Sequence, residues 1–126
     1  MNSDQTQKYI DAAQKFLEKH DMPKIPEQYC LLLKKMNGFT TAGLCLFGVG
    51  PETTHKHNQD IALYNLNLNM RHKETALVLG CTPFDWIVFE QKEQTYNLID
   101  KTDGLKISTF NSLTDLLKYL QFYKND

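Results

Sequence analysis

Apolar residues recur at helical spacing in the first segment of the chain. They lie three and four positions apart, so that they share one face of a helix. Asp4 lies near the start, where a carboxylate interacts favourably with the helix dipole. The pattern predicts an amphipathic helix that begins at Ser3 or Asp4 and ends near Lys19, with an apolar face of Tyr9, Ile10, Ala13, Phe16 and Leu17.

A second amphipathic helix is predicted from Pro26 to Met36, after a break at Pro23. Pro26 suits the first helical position, because its missing N–H group would have no intrahelical partner there. Asn37 and Gly38 both tolerate the left-handed conformation that ends a helix. The apolar face comprises Tyr29, Leu32, Leu33 and Met36.

The middle of the chain predicts a strand, a loop and a third helix. Residues 43–49 are apolar on both faces of a strand, which is typical of a strand covered on each side. Residues 50–58 are polar without periodicity and predict a loop. A helix is predicted from a cap at Thr54 or Asn58 to Arg71, although the Asn-Leu alternation at 65–69 is a strand pattern.

The second half predicts an antiparallel meander followed by a helix. Four β-rich runs at 76–80, 86–90, 95–99 and 106–110 are separated by turn signals. Ser112 with Asp115 resembles a capping box before a leucine-rich helix face. We therefore expect a single α+β domain over residues 1–126, with a mostly antiparallel sheet of about five or six strands and helices at both termini and in the middle packed on it.

Composition restricts the classes of function. The 126 residues carry 14 basic and 15 acidic groups, a net charge of −1, so the total shows no nucleic-acid footprint. The N-terminus shows no signal-peptide pattern, and no segment approaches the roughly 20 apolar residues of a membrane span. Three cysteines in apolar runs, Cys30, Cys45 and Cys81, are typical of buried thiols in a reducing compartment. The expectation is a cytoplasmic protein that binds neither nucleic acid nor membranes.

Several candidate sites have simpler structural interpretations. His55, His57 and Asp60 include zinc-type ligands, but a fourth ligand and helical spacing are missing, so we expect no metal or cofactor. Cys30 and Cys81 could be nucleophiles, but no triad pattern accompanies them and packing is the default.

The acids of the meander could act as general acid and base, yet such charges commonly keep a sheet edge soluble. These acids are Asp85, Glu90, Glu93, Asp100 and Asp103. No catalytic residue is assigned.

A protein interface is the best-motivated site. Phe84, Asp85 and Trp86 follow Pro83 at a turn, and a lone tryptophan beside an acid is typical of an interface anchor. Trp86 could equally fill the core under the last helix. Five acids against Lys92 and Lys101 between residues 81 and 103 would attract a basic partner. The candidate partner-binding set is Phe84, Asp85, Trp86, Glu90, Glu93, Asp100 and Glu52.

Several of these residues resemble a known pattern. Pro26, Tyr29, Leu32, Leu33, Asn37 and Gly38 resemble the Pro-x-x-Tyr-x-x-Leu-Leu-x-x-x-Asn-Gly opening of the SUKH superfamily. Residues 77–80, 85–89, 96–100 and 110–120 resemble later blocks of its YrhA-like members. Pro26, Tyr29, Asn37 and Gly38 correspond to the family's structural signature, and Asp85 to the acid before its central strand. Phe84 departs from the glycine or serine usual before that acid.

The resemblance implies a function without catalysis. The superfamily includes bacterial immunity proteins, which neutralise a cognate toxin, such as a nuclease or another polymorphic toxin domain, by stoichiometric binding. It also includes cell-wall-assembly regulators, which implies the alternative of a regulatory scaffold. We expect a monomer that binds a protein partner.

Overall fold

Six antiparallel strands form one sheet in the order in which they occur along the chain. The computed structural model describes residues 3–51, 60–68 and 74–120. Its helices are α1 (Ser3–Lys19), α2 (Glu27–Lys35), α3 (Ile61–Asn67) and α4 (Leu113–Tyr119). Its strands are β1 (Phe39–Thr40), β2 (Cys45–Leu46), β3 (Ala76–Cys81), β4 (Asp85–Glu90), β5 (Thr95–Asp100) and β6 (Lys106–Phe110). The predicted α+β architecture and the meander are confirmed.

One row of apolar side chains across the sheet contacts the helices. Leu77, Phe89, Tyr96 and Phe110 are register partners on successive strands, so their side chains lie on the same face. The Phe89 and Tyr96 ring centroids are 5.2 Å apart, and Phe110 packs at 5.3 Å from Tyr119 of α4. The beginning of α2 borders the same row, because Ile25 and Pro26 line a cleft with Phe89 and Tyr96.

The C-terminal end of α1 is set by residues other than Pro23, the predicted helix breaker. Asp21 has a φ of 57°, the left-handed conformation that closes a helix. The N–H of Met22 donates to the carbonyl of Leu17 at 2.9 Å, and that of Asp21 to Glu18 at 3.1 Å. This is a Schellman motif, so α1 ends before the Pro23 that the sequence singled out.

The boundaries of α2 differ from the prediction by one residue at each end, because Met36 is the C-cap residue. Pro26 is the N-cap residue, with φ −67° and ψ 152°, and its carbonyl accepts from Tyr29 and Cys30 at 3.0 Å each. The extended ψ places it just outside the helix, so its assignment as the first helical residue was wrong. Of the predicted pair at the exit, Gly38 has the left-handed φ of 88°. Asn37 acts through its side chain instead.

The side chain of Asn37 bonds the backbone of Val49 in the way that a neighbouring strand would. Its Nδ2 donates to the carbonyl of Val49 and its Oδ1 accepts from the N–H of Val49, both at 2.8 Å. Gly48 meanwhile accepts from the N–H of Ile61 at 2.8 Å. These bonds explain why β2 is shorter than the predicted strand at 43–49: the backbone beyond Phe47 pairs with partners outside the sheet.

Tyr29 of α2 ties this segment to the sheet. Its side chain is 1 % exposed, and its hydroxyl contacts the carbonyl of Phe47 and, at 3.0 Å, that of Leu79. Burial, with the nearby Cys45 thiol, raises the pKa of Tyr29 well above its ordinary value. Tyr29 and Asn37, two residues of the proposed signature, therefore both hold the chain that follows β2.

The third helix is real but shorter than predicted. It begins after Asp60, whose Oδ1 accepts from the N–H groups of Ala62 at 3.0 Å and Leu63 at 3.1 Å. The cap is therefore Asp60; Thr54 and Asn58 lie outside the described residues. The helix ends at Asn67, because Leu68 is extended. At the other end of the chain, the Ser112 hydroxyl accepts from the N–H of Asp115 at 3.1 Å and caps α4 as predicted.

Candidate protein-binding site

The turn between β3 and β4 is braced by one threonine. The Oγ1 of Thr82 accepts from the N–H of Phe84 at 3.3 Å and from that of Asp85 at 3.0 Å. The N–H of Thr82 donates in return to the carbonyl of Asp85 at 2.8 Å. Threonine supplies such local bonds readily, whereas Pro83 restricts its own φ. The backbone of the turn is therefore held in one conformation.

Phe84 projects from this turn into solvent. Its side chain is 76 % exposed, the highest value among the exposed large hydrophobic residues described. Its carbonyl accepts from the N–H of Lys101 at 3.0 Å, so the turn is also fastened to the end of β5. A large aromatic ring is thus presented on backbone that is hydrogen-bonded on both sides of its Cα.

Two carboxylates lie opposite each other beside Phe84. Asp85 and Asp100 are register partners on β4 and β5, and both are half-buried. The Oδ1 of Asp100 accepts from the N–H groups of Thr102 at 2.7 Å and Asp103 at 3.1 Å, so this residue also shapes the β5–β6 turn. Like charges directly across a strand pair disfavour each other, and a cation brought by a partner would relieve that repulsion.

Leu105 extends the same end of the sheet. It is 65 % exposed, and its carbonyl accepts from the N–H of Asp100 at 2.9 Å. Phe84, Asp85, Asp100 and Leu105 therefore form one surface, which we call the turn-end surface. Sequence analysis missed Leu105 and the bracing role of Thr82, although Thr-Pro before an exposed aromatic is a turn signal that could have indicated the latter.

Trp86 has a different environment from Phe84. It is half-buried between its register partners Cys81 and Ile99. Its Nε1 donates to the Tyr64 hydroxyl at 3.2 Å, and the Tyr64 ring packs on Phe47 at 4.2 Å. The contacts favour packing, although against Tyr64 of α3 and not under the last helix as the sequence interpretation has it, and the exposed aromatic of this turn is Phe84.

The predicted partner-binding residues do not all lie together. Glu90 ends β4, and its Oε2 accepts from the N–H of Lys92 at 3.3 Å in the β4–β5 turn, where Glu93 is also exposed. Five residue steps along β4 separate Glu90 from Asp85, a distance of about 17 Å at the usual rise per residue. Glu90 and Glu93 therefore lie at the end of the sheet opposite the turn-end surface, and Glu52 lies outside the described residues.

Two residues of the alternative sites, Asp60 and Cys30, are engaged in other contacts in the described part of the chain. Asp60 of the possible metal set is engaged as a helix cap, and His55 and His57 lie outside the described residues. Across residues 3–51, 60–68 and 74–120, no three His, Cys, Asp or Glu side chains converge as metal ligands. The Cys30 thiol hydrogen-bonds the carbonyl of Ile25 at 3.7 Å, and burial raises its pKa, which disfavours the nucleophilic thiolate.

Two open clefts flank α2 away from the turn-end surface. One, of about 430 Å³, lies between the beginning of α2 and the β4–β5 turn and is lined by Gln28, Gln91, Gln94 and Asn111 among others. The second, of about 580 Å³, lies between α2 and α4 and includes Leu31, Leu32 and Leu113. Neither cleft is lined by a residue of the predicted partner-binding set.

Comparison with known proteins identifies no relative of this chain. No protein-family profile, curated protein or solved structure matches this chain. Among the described helices, none has both the length and the apolar composition needed to cross a bilayer.

Proposed function

We propose that the chain is an immunity protein of the SUKH type, which binds a bacterial protein toxin and neutralises it stoichiometrically. The observation that carries the proposal is the exposure of Phe84 on a turn whose backbone is tied to Thr82 and Lys101. The sequence resemblance to the superfamily supports the same function.

A braced aromatic side chain suits a binding protein for a thermodynamic reason. Aromatic residues near the centre of an interface contribute a large share of binding energy, because they bury much apolar area with few rotatable bonds. Binding also costs less when the turn is already ordered in the free protein. Phe84 satisfies both conditions, and Leu105 adds apolar area beside it.

The charges of the turn-end surface favour a basic partner. Asp85, Asp100 and Asp103 outnumber the two lysines at this end of the sheet, Lys101 and Lys106. Enzymes that act on nucleic acids carry basic surfaces, so a nuclease toxin has the complementary charge. Association would then be accelerated at low salt and slowed as salt screens the charges.

Inhibition would proceed by occupation of the toxin surface, with no bond made or broken. The immunity protein would have to bind the toxin in the compartment where the toxin acts, which for a nuclease is the cytoplasm. The same surface could serve a regulatory scaffold that binds an enzyme of its own cell. The two functions differ in whether the partner is toxic when produced alone.

The test is a growth assay with the product of the adjacent gene. That product should arrest growth when produced alone, and co-production of this chain should restore growth. Phe84→Ala should weaken the purified complex roughly 30-fold or more in calorimetry, because truncation of an interface hot spot costs about 2 kcal/mol or more. Leu31→Ala, which truncates another exposed apolar side chain on α2, is the matched control and should leave affinity unchanged.

The outcomes separate the alternatives. A non-toxic partner whose binding depends on Phe84 would support the scaffold. Rescue and full affinity with folded Phe84→Ala, judged by an unchanged unfolding midpoint, would remove the turn-end surface from the proposal.

A further inference from the structure

Two of the three cysteines lie directly opposite each other in the sheet. Cys45 of β2 and Cys81 of β3 are register partners, so their side chains project from the same face. Interaction with the Cys45 side chain is the first cause of the raised pKa of Cys81, as expected for neighbouring thiols. Far apart in sequence, they gave no sign of being paired, and the topology alone brings them together.

The strand geometry fits a covalent link. The N–H of Phe47 donates to the carbonyl of Leu79 at 2.9 Å, so these residues form a hydrogen-bonded pair of the ladder. Cys45 and Cys81 lie two positions further along and occupy the same type of pair, in which Cα atoms are about 5.5 Å apart. Disulfides span Cα distances of roughly 4.4–6.8 Å.

The backbones of the two strands are also held close together beside this pair. A Cβ atom on Gly80 would lie 2.3 Å from the carbonyl oxygen of Cys45. Glycine therefore permits an approach that any side chain at position 80 would prevent. The position of Cys45 relative to Cys81 is thus fixed by the backbone.

We propose that Cys45 and Cys81 form a reversible dithiol–disulfide pair that is oxidised by peroxides. This inference rests on strand register and does not depend on the proposed toxin binding.

The reaction balances in two steps. One thiolate attacks a peroxide oxygen; the O–O bond breaks, and hydroxide leaves and takes up a proton to become water. The resulting sulfenic acid is attacked by the second thiolate, which forms the S–S bond and breaks the S–O bond; the hydroxide that leaves takes up the proton lost by the second thiol and becomes a second water. The two sulfurs lose two electrons, and the peroxide gains them.

The environment makes the pair accessible but slow to react. Both side chains are half-buried, so a small oxidant can reach them. The hydrogen bond with Cys45 and burial raise the pKa of Cys81, and the nearby Lys101 ammonium partly opposes this shift. Because only the thiolate reacts, oxidation should be slow at neutral pH and faster as pH rises.

Cys30 supplies an internal reference within the same chain. Its thiol lies in the contact of α2 with α1, 3.7 Å from the Ile25 carbonyl and 3.8 Å from the Gln14 amide. It has no register partner in the sheet and should remain a free thiol.

The test oxidises the native chain with hydrogen peroxide and maps its thiols. After denaturation, thiol titration should find one free thiol where the reduced chain has three. Peptide mapping without reductant should join the Cys45 and Cys81 peptides, and a dithiol reductant should separate them. Cys30→Ser should retain the link, and Cys45→Ser and Cys81→Ser should each abolish it.

Three outcomes would overturn the proposal. These are a link that includes Cys30, a disulfide only between two chains, and retention of three free thiols under oxidant. Because the peptide map uses the natural chain, the result stands even if a serine variant fails to fold.

Discussion

At the scale of single residues, two asparagine side chains hydrogen-bond backbone groups that have no neighbouring strand to pair with. Asn37 bonds both backbone groups of Val49. Asn65 does the same for Val78, with Nδ2 to the carbonyl and Oδ1 to the N–H at 2.8 Å each. An asparagine amide presents an N–H donor beside a carbonyl acceptor in the geometry of a peptide, so it can pair with backbone groups that would otherwise be buried without a partner.

We expect Asn65→Ala to lower the free energy of unfolding by roughly 2–4 kcal/mol. The change leaves the N–H and C=O groups of Val78 without their partner, and each unpaired buried group costs about 1–3 kcal/mol. Asn65 is 3 % exposed, so water has little access to replace the amide. Urea denaturation of the purified variant measures the loss.

Asn67→Ala is the matched control for this position. Asn67 is exposed and lies on the same short helix, so its removal should change stability by less than about 0.5 kcal/mol. Equal effects at the two positions would mean that the bonds from Asn65 to Val78 add nothing to stability, because helix propensity favours alanine at both positions.

Sequence patterns identify such residues but not what they do. Asn37 was singled out as a helix terminator because asparagine tolerates left-handed backbone. Its side-chain partner, Val49, lies 12 residues away, and no local pattern encodes that contact. The strand-like Asn-Leu alternation likewise gives no sign that Asn65 lies buried in a helix and bonds Val78, 13 residues away.

At the scale of elements, local sequence signals predict correctly which helices and strands form, but they predict less well the residues at which those elements end. The four strands of the meander and the Ser112 cap depend on period-two patterns and turn residues within a few positions, and all are confirmed. β2 was predicted to run to residue 49 but ends at Leu46. The neighbouring strand β3 continues, but the backbone after Phe47 bonds Asn37 and Ile61 instead, and those partners are distant in sequence.

Gly80 shows how closely two elements can depend on one residue. A Cβ at this position would meet the backbone of Cys45 and Leu46, neither of which can move without shifting β2. We expect Gly80→Ala to destabilise the fold by roughly 1–3 kcal/mol, as overpacking does in cores. Thermal or urea unfolding monitored by circular dichroism measures the change.

Gly43→Ala provides the comparison within the same part of the chain. A Cβ there would meet nothing within 4 Å, and the backbone is not left-handed. Stability should stay constant or rise by about 0.4–1 kcal/mol through the unfolded state. A neutral Gly80→Ala would show that β2 and β3 can separate at little cost.

At the scale of the whole molecule, the candidate site could be only partly predicted. The sequence indicated the turn at 84–86, because proline, aromatics and an acid lie together there. It could not show that Trp86 contacts Tyr64 while Phe84 faces solvent, since that depends on α3 reaching the sheet. It also grouped Glu90 with Asp85, which the length of β4 separates.

The stability of the whole molecule should fall in alkaline solution. Burial and the nearby Cys45 thiol raise the pKa of Tyr29, and burial and the nearby Cys30 thiol raise that of Tyr96 to about 12. In the unfolded chain both tyrosines release their protons near pH 10. Below that pH both states hold these protons and stability is unaffected by them; above it only the folded state does, so stability decreases as pH rises.

Tyr29→Phe isolates the larger of these contributions. At pH 8 the variant should be less stable than the natural chain by about 1–3 kcal/mol, because the carbonyls of Phe47 and Leu79 lose the hydroxyl. Above pH 10 this deficit should shrink by up to about 1.4 kcal/mol per pH unit, since phenylalanine has no proton to lose. Urea unfolding of the natural chain and the variant between pH 8 and 11, with the exposed Tyr119→Phe as control, measures the difference. A deficit that stays constant across this range would mean that Tyr29 ionises as readily in the folded chain as in the unfolded one, and that its contacts with β2 and β3 open before the protein unfolds.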